Sequence, residues 1–349
     1  MPGMLGRRAK RGRAVKKRWI FTGVAGLLAA LFLGGVAAVG ASTGWFGIEE
    51  LASREEDSQW PYRYQTAWDP TDRGMEGLRI TWGNGSISVR PTDAPLVTVT
   101  EYAARPLEES ELLGLTFSGD TLEVSWDGGL LPLAAFQGWE KRVEVEVPRA
   151  VLAQLEELSC WNLSGSMTVE DVGAQKASLT SFRGDLSLSR VQCGELRLST
   201  VSGIVQLARS AAQELSVETD SGGAGIQSVQ AGECRLKSVT GPVSFVESAA
   251  EELTIQTVSG PVLTRLEGCP ETADLRSVSG DITLGLRENN GFDAAYSSVS
   301  GRFASDFIGA ESKGALRYRQ GGPQLSLTTT WGNMEIQRVT GVYAEMAGG

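Results

Sequence analysis

Ser277-Val278-Ser279-Gly280-Asp281-Ile282-Thr283-Leu284 decides the fold, because the chain states nearly the same phrase eight times. Variants of [Ser/Thr]-Val-[Ser/Thr]-Gly followed by alternating apolar residues carry their glycine at Gly165, Gly184, Gly203, Gly222, Gly241, Gly260, Gly280 and Gly301. The successive intervals are 19, 19, 19, 19, 19, 20 and 21 residues. A fixed period of this size is the mark of a stacked repeat architecture and outranks any local motif.

Counted from its glycine, each repeat places an apolar residue two positions on (Leu186, Val205, Val243, Val262, Ile282) and mostly another four positions on (Leu188, Leu207, Ile226, Phe245, Leu284). Small or polar residues fall mostly between them, the period-2 alternation of a half-buried strand. A second short strand follows at offsets 12 and 14, as in Leu196/Leu198, Leu215/Val217, Cys234/Leu236 and Leu253/Ile255. Two short strands and their corners leave no room for a helix. The reading is an all-β, single-domain parallel β-solenoid with about 19 residues per coil, its rungs ~4.8 Å apart. Glycine then marks a corner that tolerates no side chain, and the Ser/Thr beside it can bond backbone groups along the stack.

Outward from the repeats the chain changes character. Residues 1–18 hold eight Lys/Arg and no acid, among them Arg7, Arg8, Lys16, Lys17 and Arg18. From Trp19 the chain is apolar to Ala41, without a charge through Ile48, and Trp19 and Trp45 flank the run. That is long enough to cross a bilayer as a helix, with aromatics at its interfaces. Residues 1–18 therefore read as a basic cytoplasmic arm and 19–45 as one transmembrane helix, a signal-anchor. The chain would sit in a bacterial cell membrane as a single-pass protein with its C-terminal domain extracytoplasmic. The rival is a cleaved secretory signal with its site near Val39-Gly40-Ala41, although such apolar cores are usually shorter. Either way the rest of the chain is exported. Of 32 Lys/Arg, those eight leave 24 against 42 Asp/Glu, a net charge of −18 for residues 19–349. So acidic a surface repels nucleic acids and favours a protein or neutral-glycan partner outside the cell.

Residues 46–76 read as a linker and 77–150 as an N-terminal cap with the first coils. Strands are expected there at 78–82, 86–90, 96–102, 112–118, 121–126 and 142–147. Regular repeats fill 151–301, and residues 151–158 suit a corner and strand better than a helical turn. C-terminal coils and a cap occupy 302–349, with strands near 303–308, 315–319 and 324–330 and a final corner at Gly341. Thr330-Trp331-Gly332-Asn333 echoes Thr81-Trp82-Gly83-Asn84, which suggests similar corners at both ends.

Chemistry is sparse. The chain has no histidine, which removes His-based triads and His metal ligands. No two of Cys160, Cys193, Cys234 and Cys269 lie one interval apart, so none should be bridged, and the thiols act as small buried fillers. Neither Gly83-Asn84-Gly85 nor Gly222-Gly223-Ala224-Gly225 carries the Lys-Ser/Thr of a phosphate loop. No cofactor is implied. One constellation remains: Glu195, Glu214, Glu233, Glu252 and Glu271 share offset 11 and would stack as an acidic ladder. It could be a solvated edge, with Arg197 and Arg235 two positions on, or a site for cations or a basic partner.

The repeats, preceded by Val143-Glu144-Val145-Glu146-Val147-Pro148, resemble a bacterial family of putative adhesins, envelope domains of unknown function built from short β-repeats, often behind a membrane anchor. The resemblance covers about residues 77–341 and carries over no site. It implies a non-enzymatic, adhesin-like binding or envelope-sensing module. The alternatives are a polymerising scaffold of the envelope and, lower, a polysaccharide-active β-helix enzyme, for which no Asp/Arg/Lys face is evident.

Overall fold

Leu188 lies in register between Val169 on one side and Leu207 on the other, each 19 residues away and each in a parallel strand. The opposite wall repeats this, with Leu198 between Leu179 and Val217. A computed structural model describes residues 60–70, 74–126 and 141–339 of the chain, all within the unit Glu56–Gly349. Each regular coil gives one short strand to the first sheet, such as Leu186–Ser189, and one longer strand to the second, such as Gln192–Ser202. The apolar columns run between the sheets. Met167, Leu186, Val205, Ala224, Val243, Val262 and Ile282 form one and are all buried. Because burial alternates residue by residue, a strand cannot slip by one without turning its apolar side chains outward.

The glycine corner is as tight as the motif demands. A Cβ on Gly241 would sit 1.8 Å from the carbonyl oxygen of Gly222, and one on Gly222 equally close to that of Gly203. Three positions earlier, the first Ser/Thr of the motif points into the corner. Thr257 Oγ1 accepts the Gly260 N–H at 3.0 Å, and Ser277 and Ser298 do the same for Gly280 and Gly301. The motif's valine faces out instead, leaving Val239, Val258 and Val278 exposed.

The second corner of each coil takes a conformation that the sequence does not mark. Asp171, Arg190, Arg209, Ser228 and Glu247 adopt left-handed backbone with φ between 51° and 56°, one per coil. No glycine marks it. Ser210 and Ser248, next in the chain, each accept a backbone N–H of the adjacent rung, from Val191 and Val229.

At both ends spatial order departs from chain order. The coil of residues 77–92 stacks directly on 155–170, pairing Ile80 with Cys160 and Val89 with Val169. Above it the next rung is shared by Thr121–Ser125 and Lys141–Pro148. Antiparallel strands close that end: Gly114–Ser118 on the second sheet, then Val97–Ala103 and Tyr62–Trp68 on the first. Residues 62–68 thus belong to the cap, not to the linker in which the sequence placed them. At the other end, Gln324–Thr329 and Met334–Arg338 insert between the coil of Gly280 and the coil of Gly301. The chain overshoots by one rung, turns back through the antiparallel strands Ala310–Ser312 and Ala315–Arg319, and fills the gap. The 21-residue interval from Gly280 to Gly301 therefore does not join neighbours.

Arg149–Leu152 makes one helical turn before the strand from Leu155 begins. The two Thr-Trp-Gly-Asn segments are not equivalent: Trp82 is wholly buried, Trp331 is 63% exposed, and the glycine stacked in the column is Gly85 rather than Gly83. Among the described residues no helix is long and apolar enough to cross a membrane. Residues 1–18 and 19–45, with Arg7, Arg8, Lys16, Lys17, Arg18, Trp19 and Trp45, and Gly341 at the other end, lie outside the described residues.

Candidate functional site

Where each coil enters its longer strand, a residue with a small side chain recurs nine positions after the glycine: Ala174, Cys193, Ala212 and Ala231. Each is flanked by a glutamine on one side and a glycine or alanine on the other, alternating from coil to coil, and the result is an open trough of about 1010 Å³ running along the solenoid axis. Gln154, Gln175, Gln192, Gln213 and Gln230 supply amides to it, and Lys176, Glu195 and Glu214 line one wall. Four coils at ~4.8 Å per rung give it a length on the order of 15–20 Å.

Glu195 and Glu214 begin the ladder that offset 11 predicts, which runs on beyond the trough and departs from the sequence reading at one residue. Glu195 pairs in register with Glu214, Glu214 with Glu233, and Glu233 with Glu252. The next partner of Glu252 is Thr272, not Glu271. The longer interval before Gly280 inserts its extra residue upstream of this strand and moves Glu271 one place out of the column. At the other end Lys176 sits between Glu157 and Glu195, so a cation interrupts the column of carboxylates there.

Like charges stacked one rung apart repel, and the outward neighbours offset this unevenly. Arg197 pairs with Glu195 and Arg235 with Glu233. The intervening rungs carry Ser216 and Thr254 at the position of those arginines. Four carboxylates are thus accompanied by two guanidiniums in alternation, and the ladder keeps a net negative charge. Among the described residues no three His, Cys, Asp or Glu side chains come together to hold a metal ion.

Nor does the trough hold an evident nucleophile. Cys193 lines it, but burial pushes its thiol up to about 11, so the thiolate is scarce near neutral pH. All four cysteines are free; Cys160 and Cys234 are buried in the apolar columns, and Cys193 and Cys269 are half-buried. The trough presents glutamine amides and the carboxylates of Glu195, Glu214 and Glu251 beside the ammonium of Lys176. The recurrence of Ala/Cys at offset 9 is readable in the sequence; that these residues line an open trough is not.

The strongest local electrostatics lie in the cap. Lys141 Nζ donates to Glu101 Oε1 at 2.7 Å, both side chains almost wholly buried, and lies 4.3 Å from the ring centre of Trp126. Burial lowers the pKa of the ammonium, and the adjacent Glu101 carboxylate works against that shift. Glu101 Oε2 also accepts the Leu113 N–H at 3.1 Å. This pair fastens the 104–113 connection onto the end of the core.

Residues 75–337 match the Toastrack DUF4097 family. Among solved structures, a putative lipid binding protein from Parabacteroides distasonis ATCC 8503 is 12% identical, with 80% of this chain and 98% of that chain covered and a TM-score of 0.48. A putative adhesin from Bacteroides fragilis NCTC 9343 is 13% identical over 80% of this chain and 99% of the other, with a TM-score of 0.41. A putative cell adhesion protein from Clostridium sporogenes ATCC 15579 is 9% identical over 80% and 99%, with a TM-score of 0.29. Comparison of the sequence with curated proteins finds no match.

Proposed function

Since the chain belongs to the Toastrack DUF4097 family, we propose that it is a non-enzymatic binding module of the bacterial envelope, and that the trough is its contact surface. The apolar run of residues 19–45, with the basic arm before it, would hold the module on the membrane with the solenoid outside. The observation that carries the reading is the in-register ladder of Glu195, Glu214, Glu233 and Glu252, whose first two members also line the trough beside its small-residue floor. A partner suited to it is an extended Lys/Arg-rich segment of another protein. Its charges would match the rung repeat, and its backbone could exchange hydrogen bonds with the glutamines.

A lysine-rich peptide titrated against the full chain tests this. Binding should weaken at least about tenfold when Glu195, Glu214, Glu233 and Glu252 are all changed to Gln, and should fall with added salt. Equal affinity of the quadruple variant would overturn the assignment of the trough. Turnover of an envelope glycan by the purified protein would overturn the non-enzymatic reading.

A further inference from the structure

The coil at the C-terminal pole is closed on one sheet and open on the other. Its longer strand, Gly291–Ser298, is covered by Ala315–Arg319, which pairs in turn with Ala310–Ser312. Its shorter strand, Phe303–Ser305, pairs with Met334–Arg338 along one edge. Among the described residues no strand pairs with the other edge. Exposure agrees. Phe303 and Ser305 point inward in register with Met334 and Ile336, yet they are only half-buried, whereas Met334 and Ile336 are buried. At the two ends of this strand Val299 is 81% exposed and Ile308 92%, more than any other large apolar side chain among the described residues. A row of unpaired backbone N–H and C=O groups beside exposed apolar side chains is a template for strand addition.

We propose that this edge pairs with the same edge of a second copy of the chain, antiparallel about a two-fold axis through Ala304. Such a contact is self-complementary, as a two-fold interface must be. Residues equally far before and after Ala304 then face each other. Arg302 of one copy lies opposite Asp306 of the other, on the same face as Ala304, and all three are exposed. Asp306 is already held at the strand end, where its Oδ2 accepts the Arg338 N–H at 2.9 Å. Val299 and Ile308 lie beyond the two ends of the strand, so the two-fold sets exposed apolar residues of both copies at the margins of the contact. A parallel pairing in the same register would instead set Arg302 against Arg302 and Asp306 against Asp306. Short charged strands also serve to protect an edge. Here the charges are opposite in sign and symmetric about Ala304, which invites the antiparallel copy rather than refusing it.

The full chain in detergent micelles tests the proposal by cysteine crosslinking and sedimentation. An Ala304→Cys variant should form a covalent dimer under mild oxidation, because the new thiols face each other across the axis, whereas Thr283→Cys on the interior of the same sheet should not. Arg302→Asp should weaken association at least about tenfold, by setting like charges opposite each other. A sedimenting monomer, no crosslink through position 304, or an unchanged Arg302→Asp variant would overturn it. So would a full chain that dimerises only after residues 340–349 are deleted, since that outcome assigns the edge to the chain's own end.

Discussion

At the scale of single residues the corner chemistry is all-or-none. A methyl group added at Gly241 would lie 1.8 Å from the Gly222 oxygen and 2.2 Å from its carbon, both backbone atoms pinned by the rungs on either side. Nothing there can give way. Gly241→Ala should lose about 3 kcal/mol or more of stability in urea denaturation, while Gly268→Ala, with no atom within 4 Å of the added carbon, should cost little. The hydroxyl three residues earlier divides just as cleanly. Thr257→Val removes the acceptor of the Gly260 N–H and leaves that donor buried, a loss of about 1–3 kcal/mol. Ser181 occupies the equivalent place one coil after Asn162, but its Oγ has no partner, so Ser181→Ala should be neutral or slightly stabilising. The motif predicts both hydroxyls alike; the hydrogen-bond geometry separates them.

At the scale of elements, the columns carry the stability. Leu207 is buried between Leu188 and Ile226, held on two sides by rungs that cannot collapse into a vacancy. Leu207→Ala should cost about 2–5 kcal/mol. The second corner offers the opposite sign. Arg209 sits at φ 51°, a conformation that strains most residues and that Asn accepts, so Arg209→Asn should gain about 0.5–1 kcal/mol, read as a raised denaturation midpoint. These two predictions mark how far the sequence could be read. Leu188, Leu207 and Ile226 were legible because their alternation and their interval both survive in a single coil. The left-handed corner was not, because Asp171, Arg190, Arg209, Ser228 and Glu247 share a backbone angle but no side-chain chemistry. The acidic ladder was legible from Glu195 to Glu252 and failed at Glu271, since counting from the glycine cannot say where an extra residue is absorbed. The ends failed for another reason: nothing local in 291–338 records that its last coil stacks before its first.

At the scale of the whole molecule the buried thiols give the fold a pH signature. Desolvation pushes Cys160 up to about 12 and Cys234 higher still, and burial also pushes Cys193 and Cys269 up to about 11. In the unfolded chain a thiol titrates at about 8.5. Between roughly pH 9 and 11 the folded protein therefore holds protons that the unfolded chain has released, and stability must fall as pH rises through that window. Each fully buried thiol contributes a slope of about 1.4 kcal/mol per pH unit there. Tyr102, Tyr296 and Tyr318, whose pKa values are also raised, steepen the fall at the upper end of the window. Lys141 opposes it, because burial disfavours its charged form in the fold. A difference measurement removes these other groups. The Cys160→Ala/Cys234→Ala variant should be less stable than the natural chain at pH 7, having lost two column fillers, yet its denaturation midpoint should decline less between pH 9 and 11. Parallel pH profiles would mean that the two thiols titrate alike folded and unfolded, and hence that water reaches the apolar columns between the two sheets in which Cys160 and Cys234 are buried.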